Sequence, residues 1–471
     1  MTNTTHDAHH TDPVDEFFAA QRADVPTLVA DELHWQRVLG RARRSRGRRW
    51  MRYAAGAAAA VIAGTVGWQV VGGGASPGPE TSPVTITTAQ PSPDRPPGTQ
   101  RSTSPRVTSA PPATVPVPAS FRLQSVSTAA DRTLLALGTI TCPGGTLCPA
   151  LAASGDDGGT WRQVHVFTGA GVLPPSQAGR PGGTGVLSQV RFANTSVGWV
   201  YGGDILRTTD GGATWQDYPH AGGDVLDLAT DGTDVVLTTA DRCSGGTCSG
   251  TLRVLRAPIT ATSATDVAGT LGRGLTISAA PVSWHRGQAY VSPAAIAPAG
   301  VAAPGPVVLR ADGLRAAGPA SCGRGQGPTQ LVAPAAGTTL FAVCPTGGAA
   351  GHLGYAVHAS SDAGATWRLV SSEALVLVNA GTVALAAADA GTLLAVSGGG
   401  PDLHGSMALS VTGGERWQAP RTAPPLPDRG WAWVGAPGGS TFYAVAADPS
   451  GGYWKSTDRG ETWAPVDVAG R

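Results

Sequence analysis

The sequence predicts an all-β fold in which similar sheets are arranged radially, and a repeated turn motif leads to this prediction. The motif reads Ser/Thr-x-Asp-x-Gly-x-Thr-Trp, and complete copies occupy residues 154–161, 208–215, 360–367 and 456–463. A worn copy occupies residues 410–417, where Thr412 replaces the Asp and Arg416 replaces the Thr. Self-similarity of this kind indicates an array of small supersecondary units.

The spacing of the motif sets the number of units. Its tryptophans stand at 161, 215, 367, 417 and 463, so the intervals are 54, 152, 50 and 46 residues. The long interval holds about three repeats, which places two decayed copies near residues 258–268 and 308–318. Seven units of roughly 50 residues predict a seven-bladed β-propeller of four-stranded blades.

Each copy of the motif, which we call a box, has the chemistry of a tight turn. The Asp carboxylate and the Ser/Thr hydroxyl accept hydrogen bonds from backbone N–H groups, and the Gly supplies a positive φ. The Trp buries its indole between neighbouring sheets. We expect a structural role, because a carboxylate that caps a turn is not available for catalysis. The box residues are Ser154, Asp156, Gly158, Trp161, Thr208, Asp210, Gly212, Trp215, Ser360, Asp362, Gly364, Trp367, Ser410, Gly414, Trp417, Ser456, Asp458, Gly460 and Trp463.

Short apolar runs before each box predict the other strands of each unit. The predicted strands are Val190–Phe192, Gly198–Tyr201, Ile205–Thr208, Val225–Leu228, Val235–Thr239, Leu275–Ala279, Ala289–Ser292, Leu331–Pro334, Leu340–Cys344, Val383–Ala387, Thr392–Val396, Trp431–Val434 and Phe442–Val445. Leu275–Ala279 is interpreted as the first strand of the fourth unit.

The segment before the propeller predicts a membrane anchor. Seven arginines between residues 41 and 52 precede an uncharged stretch of 19 residues, 53–71. A helix of that length is about 28 Å long and crosses a hydrocarbon core. The positive-inside rule then predicts a cytosolic head at 1–49, a transmembrane helix at 50–73 and an extracellular remainder. A signal peptide and a soluble Ala-rich helix are the alternatives.

Two other N-terminal segments have distinctive compositions. Residues 74–120 are predicted to be a disordered, extended linker, since 12 of the residues 75–120 are proline. His6, His9 and His10 resemble a metal-binding tail, but we expect a solvated terminus because the cluster has no fixed geometry. No metal site and no cofactor is predicted. The net charge of +1 gives no reason to expect nucleic acid as a partner.

All six cysteines lie in the predicted propeller, residues 121–471. Six cysteines allow fifteen pairings, and locality favours the pairs Cys142–Cys148, Cys243–Cys248 and Cys322–Cys344. An even number of cysteines beyond the predicted membrane helix is typical of an oxidising compartment. Zinc binding is the alternative, although no Cys-x-x-Cys spacing occurs.

On the boxes just described, residues 121–471 resemble an Asp-box (BNR) repeat β-propeller of the sialidase-like superfamily. That superfamily includes sialidases, sortilin-type receptors, fungal carbohydrate-active enzymes and the photosystem II stability/assembly factor. The first blade, with Cys142 and Cys148, is similar to membrane-anchored, exported actinobacterial propellers without assigned activity. The motif is specific for the hairpin and leaves the function open.

The resemblance to sialidases implies an arginine in a Phe-Arg-Ile/Leu-Pro segment, a Tyr–Glu nucleophile pair and an acid/base Asp. Residues 121–123 resemble the segment, but Gln124 replaces the Pro. The predicted propeller has three glutamates, Glu373, Glu415 and Glu461, of which the last two stand inside boxes. The sequence therefore favours a protein that is not an enzyme. An exo-sialidase or another glycoside hydrolase is the alternative.

A binding face is the preferred interpretation. Loops between blades, and loops between second and third strands, are expected around one mouth of the propeller, and arginine suits carboxylates and phosphates. The tentative ligand face comprises Arg180, Arg242, Arg273, Arg324, His404 and Arg429. The alternative is that arginine is the chain's solubilising residue, since Lys455 is its only lysine. We predict a non-catalytic binding or scaffold module for an extracellular protein or a cell-wall glycan.

Overall fold

The structure is a computed structural model that describes residues 115–129, 133–174, 177, 180–320, 322, 330–334, 337–349, 352–378, 383–398, 406–448 and 450–469. The predicted head, the predicted membrane helix and residues 74–114 of the predicted linker lie outside these residues. In the part of the chain that is described, no helix has the length and hydropathy to span a membrane.

The described residues form seven antiparallel sheets that follow one another along the chain. The first, in the spatial order β1-β5-β4-β3-β2, contains β1 (Val115–Pro116), β2 (Arg122–Thr128), β3 (Leu134–Thr141), β4 (Leu147–Ser154) and β5 (Arg162–Val166). The second contains β6 (Gln189–Phe192), β7 (Gly198–Tyr201), β8 (Ile205–Thr208) and β9 (Gln216–Asp217) in chain order.

The third and fourth sheets share an unusual connection. The third contains β10 (Asp224–Thr230), β11 (Asp234–Ala240), β12 (Arg242–Ser244), β13 (Thr247–Pro258), β14 (Val267–Ala279) and β17 (Ala294–Ile296). The fourth contains β15 (Val282–His285), β16 (Gln288–Val291), β18 (Val307–Arg310) and β19 (Gly313–Ala316). Strand β17 follows β16 in the chain but pairs with β14, so it fastens the fourth sheet to the third.

The last three sheets complete the chain. The fifth contains β20 (Gln330–Val332), β21 (Leu340–Ala349), β22 (His352–Ser360) and β23 (Arg368–Val378). The sixth contains β24 (Val383–Ala387), β25 (Leu393–Ser397) and β26 (Met407–Ser410). The seventh contains β27 (Trp431–Gly438), β28 (Thr441–Ala446), β29 (Gly452–Ser456) and β30 (Ala464–Asp467).

Seven buried hydrophobic clusters hold the sheets together, and each contains side chains from two sheets that are consecutive in the chain or from the first and the last. The cluster with Phe121 and Tyr453 joins the first sheet to the seventh, so the sheets form a closed ring. This is the arrangement of a seven-bladed β-propeller, and we call the sheets blades one to seven. Within a blade the strands are counted in chain order, but without β1, which pairs beyond β5, and without the short strands β12 and β17. Burial of apolar side chains between the sheets is what stabilises such a ring.

The described residues close the ring without exchanging a strand between its ends. The strands of blade seven all come from residues 431–467, and those of blade one all come from residues 115–166. Blades one and seven are joined by a backbone hydrogen bond and by apolar packing. Leu123 N donates to Ser450 O at 2.8 Å, and the side chains of Tyr443 and Tyr453 pack in the cluster with Leu123. Val115 and Pro116, at the end of the predicted linker, pair with β5 of blade one.

Two predictions about the strands are wrong. Leu275–Ala279, predicted as the first strand of the fourth unit, is the end of β14 in blade three, and β15 opens blade four. Gly269, Gly272 and Gly274 interrupt the apolar pattern of β14, which is why only its end reads as a strand. The prediction of four strands in every blade is also wrong, since the described residues form five strands in blade one, six in blade three and three in blade six.

The missing fourth strand of blade six has a local cause. Leu409 and Gln418 exchange two backbone hydrogen bonds of 2.7 and 2.9 Å, but no ladder follows this single bridge. The chain after Gln418 contains Pro420, Pro424 and Pro425, and proline cannot donate to a ladder.

The four complete boxes lie between the third and fourth strands of their blades and have the expected hydrogen bonds. In the first box, Gly158 N donates to Ser154 Oγ at 2.9 Å, Ser154 Oγ donates to Asp156 Oδ1 at 2.7 Å, and Thr160 N donates to Asp156 Oδ1 at 2.8 Å. Trp161 Nε1 donates to Gly158 O at 3.2 Å. The same set recurs in the boxes of blades two, five and seven.

Hydrogen bonds explain both the worn box and the acidity of the complete ones. In the worn box, Thr412 Oγ1 accepts from Arg416 N at 3.0 Å in place of a carboxylate. In the complete boxes, hydrogen bonds from the box threonine lower the pKa of Asp156, Asp210 and Asp362 from 3.8 to about 2. The regions of the two decayed boxes also fall between third and fourth strands, at the connections β13–β14 and β18–β19.

The three predicted disulfides are present: Cys142–Cys148, Cys243–Cys248 and Cys322–Cys344. The first two bridge the loops between the second and third strands of blades one and three. Disulfides of this number are typical of an extracellular or otherwise oxidising location.

Candidate functional site

The first strands of all seven blades surround a central cavity of about 350 Å³. Its lining combines small apolar residues with a few polar ones, a composition typical of a ligand site. The polar and aromatic side chains of the lining include Gln124, Arg180, Ser188, Gln189, Arg191, Asp227, Ser283, Ser292, Gln330 and Trp433.

Arg191 and Trp433 form the central feature of this lining. The guanidinium carbon of Arg191 lies 5.8 Å from the centre of the Trp433 ring, so a cation from blade two stacks on an indole from blade seven. Such contacts contribute about 0.5–1 kcal/mol when exposed and more when desolvated. Arg191 Nη1 also donates to Val190 O at 2.7 Å, which fixes the fork of the guanidinium.

A glycine makes room for the indole. A Cβ on Gly435 would collide with the Trp433 ring. Strand β27 therefore holds Trp433 against the cavity only because residue 435 lacks a side chain. The pair Arg191–Trp433 is thus positioned by the backbone of two blades that are separated by blade one.

Asp227 is the one carboxylate among the described residues of the lining, and both of its oxygens are engaged. Tyr201 Oη donates to Oδ1 at 2.7 Å, and Val282 N donates to Oδ2 at 2.8 Å. Burial raises the pKa of Tyr201 well above its ordinary value, so its hydroxyl stays protonated and continues to donate. Asp227 therefore joins blades two, three and four.

Two polar atoms in residues of the lining lack a hydrogen-bond partner among the described residues. Gln124 Oε1 is buried, while its Nε2 donates to Leu173 O at 3.4 Å. The hydroxyl of Ser188 is buried as well, in a residue that is 2% exposed. Buried polar groups are normally paired, so an unpaired acceptor and an unpaired hydroxyl in the residues that line the cavity mark a place that suits a polar ligand.

Arg180 is the predicted face residue that lines the cavity. Its aliphatic stem lies against Gly246, in the hairpin that Cys243–Cys248 closes, and a Cβ on Gly246 would approach Arg180 Cδ to 2.7 Å. Asp224 of blade three links the segment that contains Arg180 to the hairpin. Thr184 Oγ1 donates to Asp224 Oδ1 at 2.8 Å, and Cys243 N donates to Asp224 Oδ2 at 2.5 Å.

The other described residues of the predicted ligand face do not line the cavity. Arg242 is the first residue of β12, in the hairpin that Cys243–Cys248 closes, and its side chain is exposed. Arg273 is exposed within β14, and not in an inter-blade loop as predicted. Arg429 lies in the loop before blade seven, where its Nε is 3.7 Å from Asp448 Oδ1. Arg324 and His404 lie outside the described residues.

Arg191, Asp227 and Trp433 were not predicted as site residues. A signal exists in hindsight: Gln189-Val190-Arg191-Phe192 alternates, with Val190 and Phe192 buried and the other two half-buried. In a first strand, alternate positions face the cavity.

Arg122, the arginine of the segment that resembles sialidases, is exposed and donates to Ala119 O at 2.9 Å and Phe121 O at 2.8 Å. Glu415 and Glu461 lie in box turns.

No protein-family model matches the chain, and no curated protein does. Solved structures do match. An ancestral GH74 enzyme is 10% identical, with 76% of this chain and 48% of that chain covered and a TM-score of 0.46. A PL25 ulvan lyase is 10% identical, with 76% and 97% covered and a TM-score of 0.41. YCF48 bound to a D1 peptide is 13% identical, with 53% and 66% covered and a TM-score of 0.30. The chain thus spans about half of the GH74 chain and just under two thirds of the YCF48 chain.

Proposed function

We propose that this chain is a membrane-anchored, exported, non-catalytic binding module whose propeller recognises a carboxylate-bearing ligand outside the cell. In this proposal the ligand is a cell-wall polymer or an extracellular protein segment, and residues 50–73 hold the propeller to the membrane. The propeller belongs to the Asp-box (BNR) type that its boxes resemble. No nucleic acid takes part.

The observation that carries the proposal is the guanidinium of Arg191, held 5.8 Å above Trp433 in the wall of the cavity. The indole and the backbone hold the guanidinium in one orientation before a ligand arrives, so less side-chain entropy is lost on binding. A carboxylate can accept two parallel hydrogen bonds from such a fork. In this proposal Gln124 and Ser188, which also line the cavity, turn their unpaired oxygens toward a hydroxyl or amide of the same ligand.

The state of Asp227 supports a binding role over a hydrolytic one. A retaining glycosidase uses two carboxyl groups about 5–5.5 Å apart, and an inverting one needs a pair about 6.5–9.5 Å apart. Asp227 is the one carboxylate that the described lining supplies, and Tyr201 and Val282 occupy its oxygens. Both oxygens therefore accept hydrogen bonds that join neighbouring blades.

A sedimentation assay tests the proposal. The full-length protein in detergent micelles is mixed with insoluble peptidoglycan, which carries carboxylates, and the bound fraction is measured against ionic strength. We expect saturable binding that weakens with salt, and roughly 10- to 160-fold weaker binding for Arg191→Gln, since a charge-assisted hydrogen bond is worth roughly 1.5–3 kcal/mol. Arg315→Gln, in the exposed β18–β19 hairpin, is the control and should bind like the wild type.

The same preparations separate the alternatives. Equal binding by wild type and Arg191→Gln would contradict the proposed site. Binding to an extracellular protein, and not to peptidoglycan, would leave the module intact but change its ligand. Turnover of a fluorogenic sialoside by the wild type, above that of a boiled sample, would favour the hydrolase.

A further inference from the structure

The disulfide Cys322–Cys344 differs from the other two in its surroundings. Cys142–Cys148 and Cys243–Cys248 close loops with separations of 6 and 5 residues inside their own hairpins. Cys322–Cys344 spans 22 residues and joins the segment before blade five to that blade's second strand. A third side chain, His358, accompanies this pair: its Nδ1 lies 3.8 Å from Cys344 Sγ.

The register of blade five places these groups together. Strands β21 and β22 pair Ala342 with His358 and Cys344 with Ala356. Cys344 and His358 are therefore diagonal neighbours on one face of the sheet. Both are buried, at 3% and 5% exposure, whereas Cys322 is half-buried and approaches them from outside the sheet.

The three groups also form a set of metal ligands. The Sγ atoms of Cys322 and Cys344 and a ring nitrogen of His358 lie within 4.8 Å of one another, and no other set of this kind occurs among the described residues. Thiolate and imidazole together suit soft or borderline cations, Zn²⁺ above all. Three protein ligands leave the fourth tetrahedral position for water.

We propose that Cys322, Cys344 and His358 form a redox-controlled site for a divalent cation such as Zn²⁺. The disulfide closes the site, because both sulfurs are then bonded to each other. A dithiol reductant opens it: the disulfide takes up two electrons and two protons, and the reductant becomes a cyclic disulfide. Zn²⁺ then binds both sulfurs as thiolates and releases their two protons, while His358 binds through a ring nitrogen.

The proposed site is independent of the ligand-binding cavity, so its failure would leave the proposed function untouched. The cavity is lined by first strands, and none of the three ligands is among its residues. Reduction changes the site at the second strand of blade five. The proposal therefore predicts metal binding that Arg191→Gln leaves unchanged.

Co²⁺ is the probe, because tetrahedral cobalt–thiolate sites absorb light through charge transfer from sulfur. The full-length chain carrying His6→Gln, His9→Gln and His10→Gln serves as the background, since those histidines could bind metal themselves. It is titrated with Co²⁺ without oxygen, before and after a dithiol reductant is added and removed. We expect one equivalent of Co²⁺ with a charge-transfer band after reduction only, and displacement by Zn²⁺.

Three variants separate this site from others. His358→Gln should weaken Co²⁺ binding at least tenfold, and Cys322→Ser should abolish the change that reduction causes. The double variant Cys142→Ser/Cys148→Ser should bind like the background, because that pair has no third ligand. Near-ultraviolet circular dichroism reports whether each reduced protein stays folded.

Several results would overturn the proposal. They are the same charge-transfer band in the oxidised protein, an unchanged titration of His358→Gln, and no binding by the reduced, folded background. Unfolding of the background on reduction would overturn it as well, because the three ligands would no longer lie together.

Discussion

The Nζ atom of Lys455 lies 2.8 Å from Asp157 Oδ2 and 3.1 Å from Asp157 O, and this contact joins blade seven to the first box of blade one. Lys455 is the only lysine of the chain. Its side chain is 12% exposed and that of Asp157 is 42% exposed. The contact lies where the ring closes without a shared strand, so the two ends depend on side chains there.

Lys455→Met should loosen the closure. The variant removes the ion pair and the hydrogen bond to Asp157 O but keeps the apolar stem, and we expect the free energy of unfolding to fall by about 1 kcal/mol. Chemical denaturation monitored by tryptophan fluorescence measures it. Arg315→Met removes an exposed pair within the single hairpin β18–β19 and should have little effect. Equal effects of the two variants would show that the contact does not contribute to closure.

The boxes predict a requirement for glycine at their fifth position. Gly460 has a φ of +87°, and an added Cβ would lie 3.0 Å from Leu409 Cδ1. Gly460→Ala should cost about 1–2 kcal/mol, because a residue with a Cβ resists the left-handed region. Gly305 has ordinary φ and open space around it, so Gly305→Ala is the control. Thermal melting compares the two, and an unchanged midpoint for Gly460→Ala would contradict the steric account.

The depressed pKa values of the boxes predict sensitivity to acid. Asp156, Asp210 and Asp362 have pKa values of about 2 in the folded chain and an ordinary value of 3.8. The unfolded chain thus binds more protons between about pH 4 and pH 2, and stability falls as the pH falls through that window. Above about pH 4, the three carboxylates are ionised in both states and their stabilising contribution is complete. Denaturant midpoints measured from pH 6 to pH 2 report the decline.

A matched variant assigns the decline to the boxes. Asp210→Asn removes one of the titrating carboxylates while it keeps an oxygen for the Thr214 N–H. The variant should be less stable than the wild type at pH 6, and its stability should depend less steeply on pH below 4. Parallel pH profiles for the two proteins would show that Asp210 does not titrate as described.

Gly435→Ala should weaken ligand binding without touching a proposed contact residue. The new Cβ would displace the Trp433 indole, and Arg191 would lose the surface on which it stacks. We expect a three- to tenfold loss of affinity for peptidoglycan, which corresponds to about 0.5–1.5 kcal/mol and matches a cation–π contact. Sedimentation binding measures this loss. Full binding by a folded Gly435→Ala would show that the indole does not position Arg191.

The sequence predicted the parts of the fold that depend on local chemistry. Ser154 and Asp156 hydrogen-bond to each other and to backbone N–H groups of the turn that follows, so the box can be recognised without any distant residue. The box spacing then predicts the number of blades. The strand Leu275–Ala279 was misassigned because glycines interrupt β14 and because β17 pairs outside its own blade, a contact that no local pattern encodes.

The site was harder to predict than the fold for the same reason. Arg191 and Trp433 are more than 200 residues apart in the chain, and they meet only because the ring closes. Position in a loop between blades predicts these arginines as ligand-binding residues, but a charge in a loop does not tell whether its side chain lines the central cavity. Arg180 does, whereas Arg429 lies beside Asp448.

The most direct measurement is a calorimetric titration of the full-length protein with a soluble, carboxylate-bearing muropeptide. If Arg191 is the anchor of the cavity, the wild type should release heat on binding, Arg191→Lys should bind more weakly because a point charge replaces the fork, and Arg191→Gln should bind weakest. Identical binding isotherms for these folded proteins, or binding that a carboxyl-amidated muropeptide reproduces, would contradict the account.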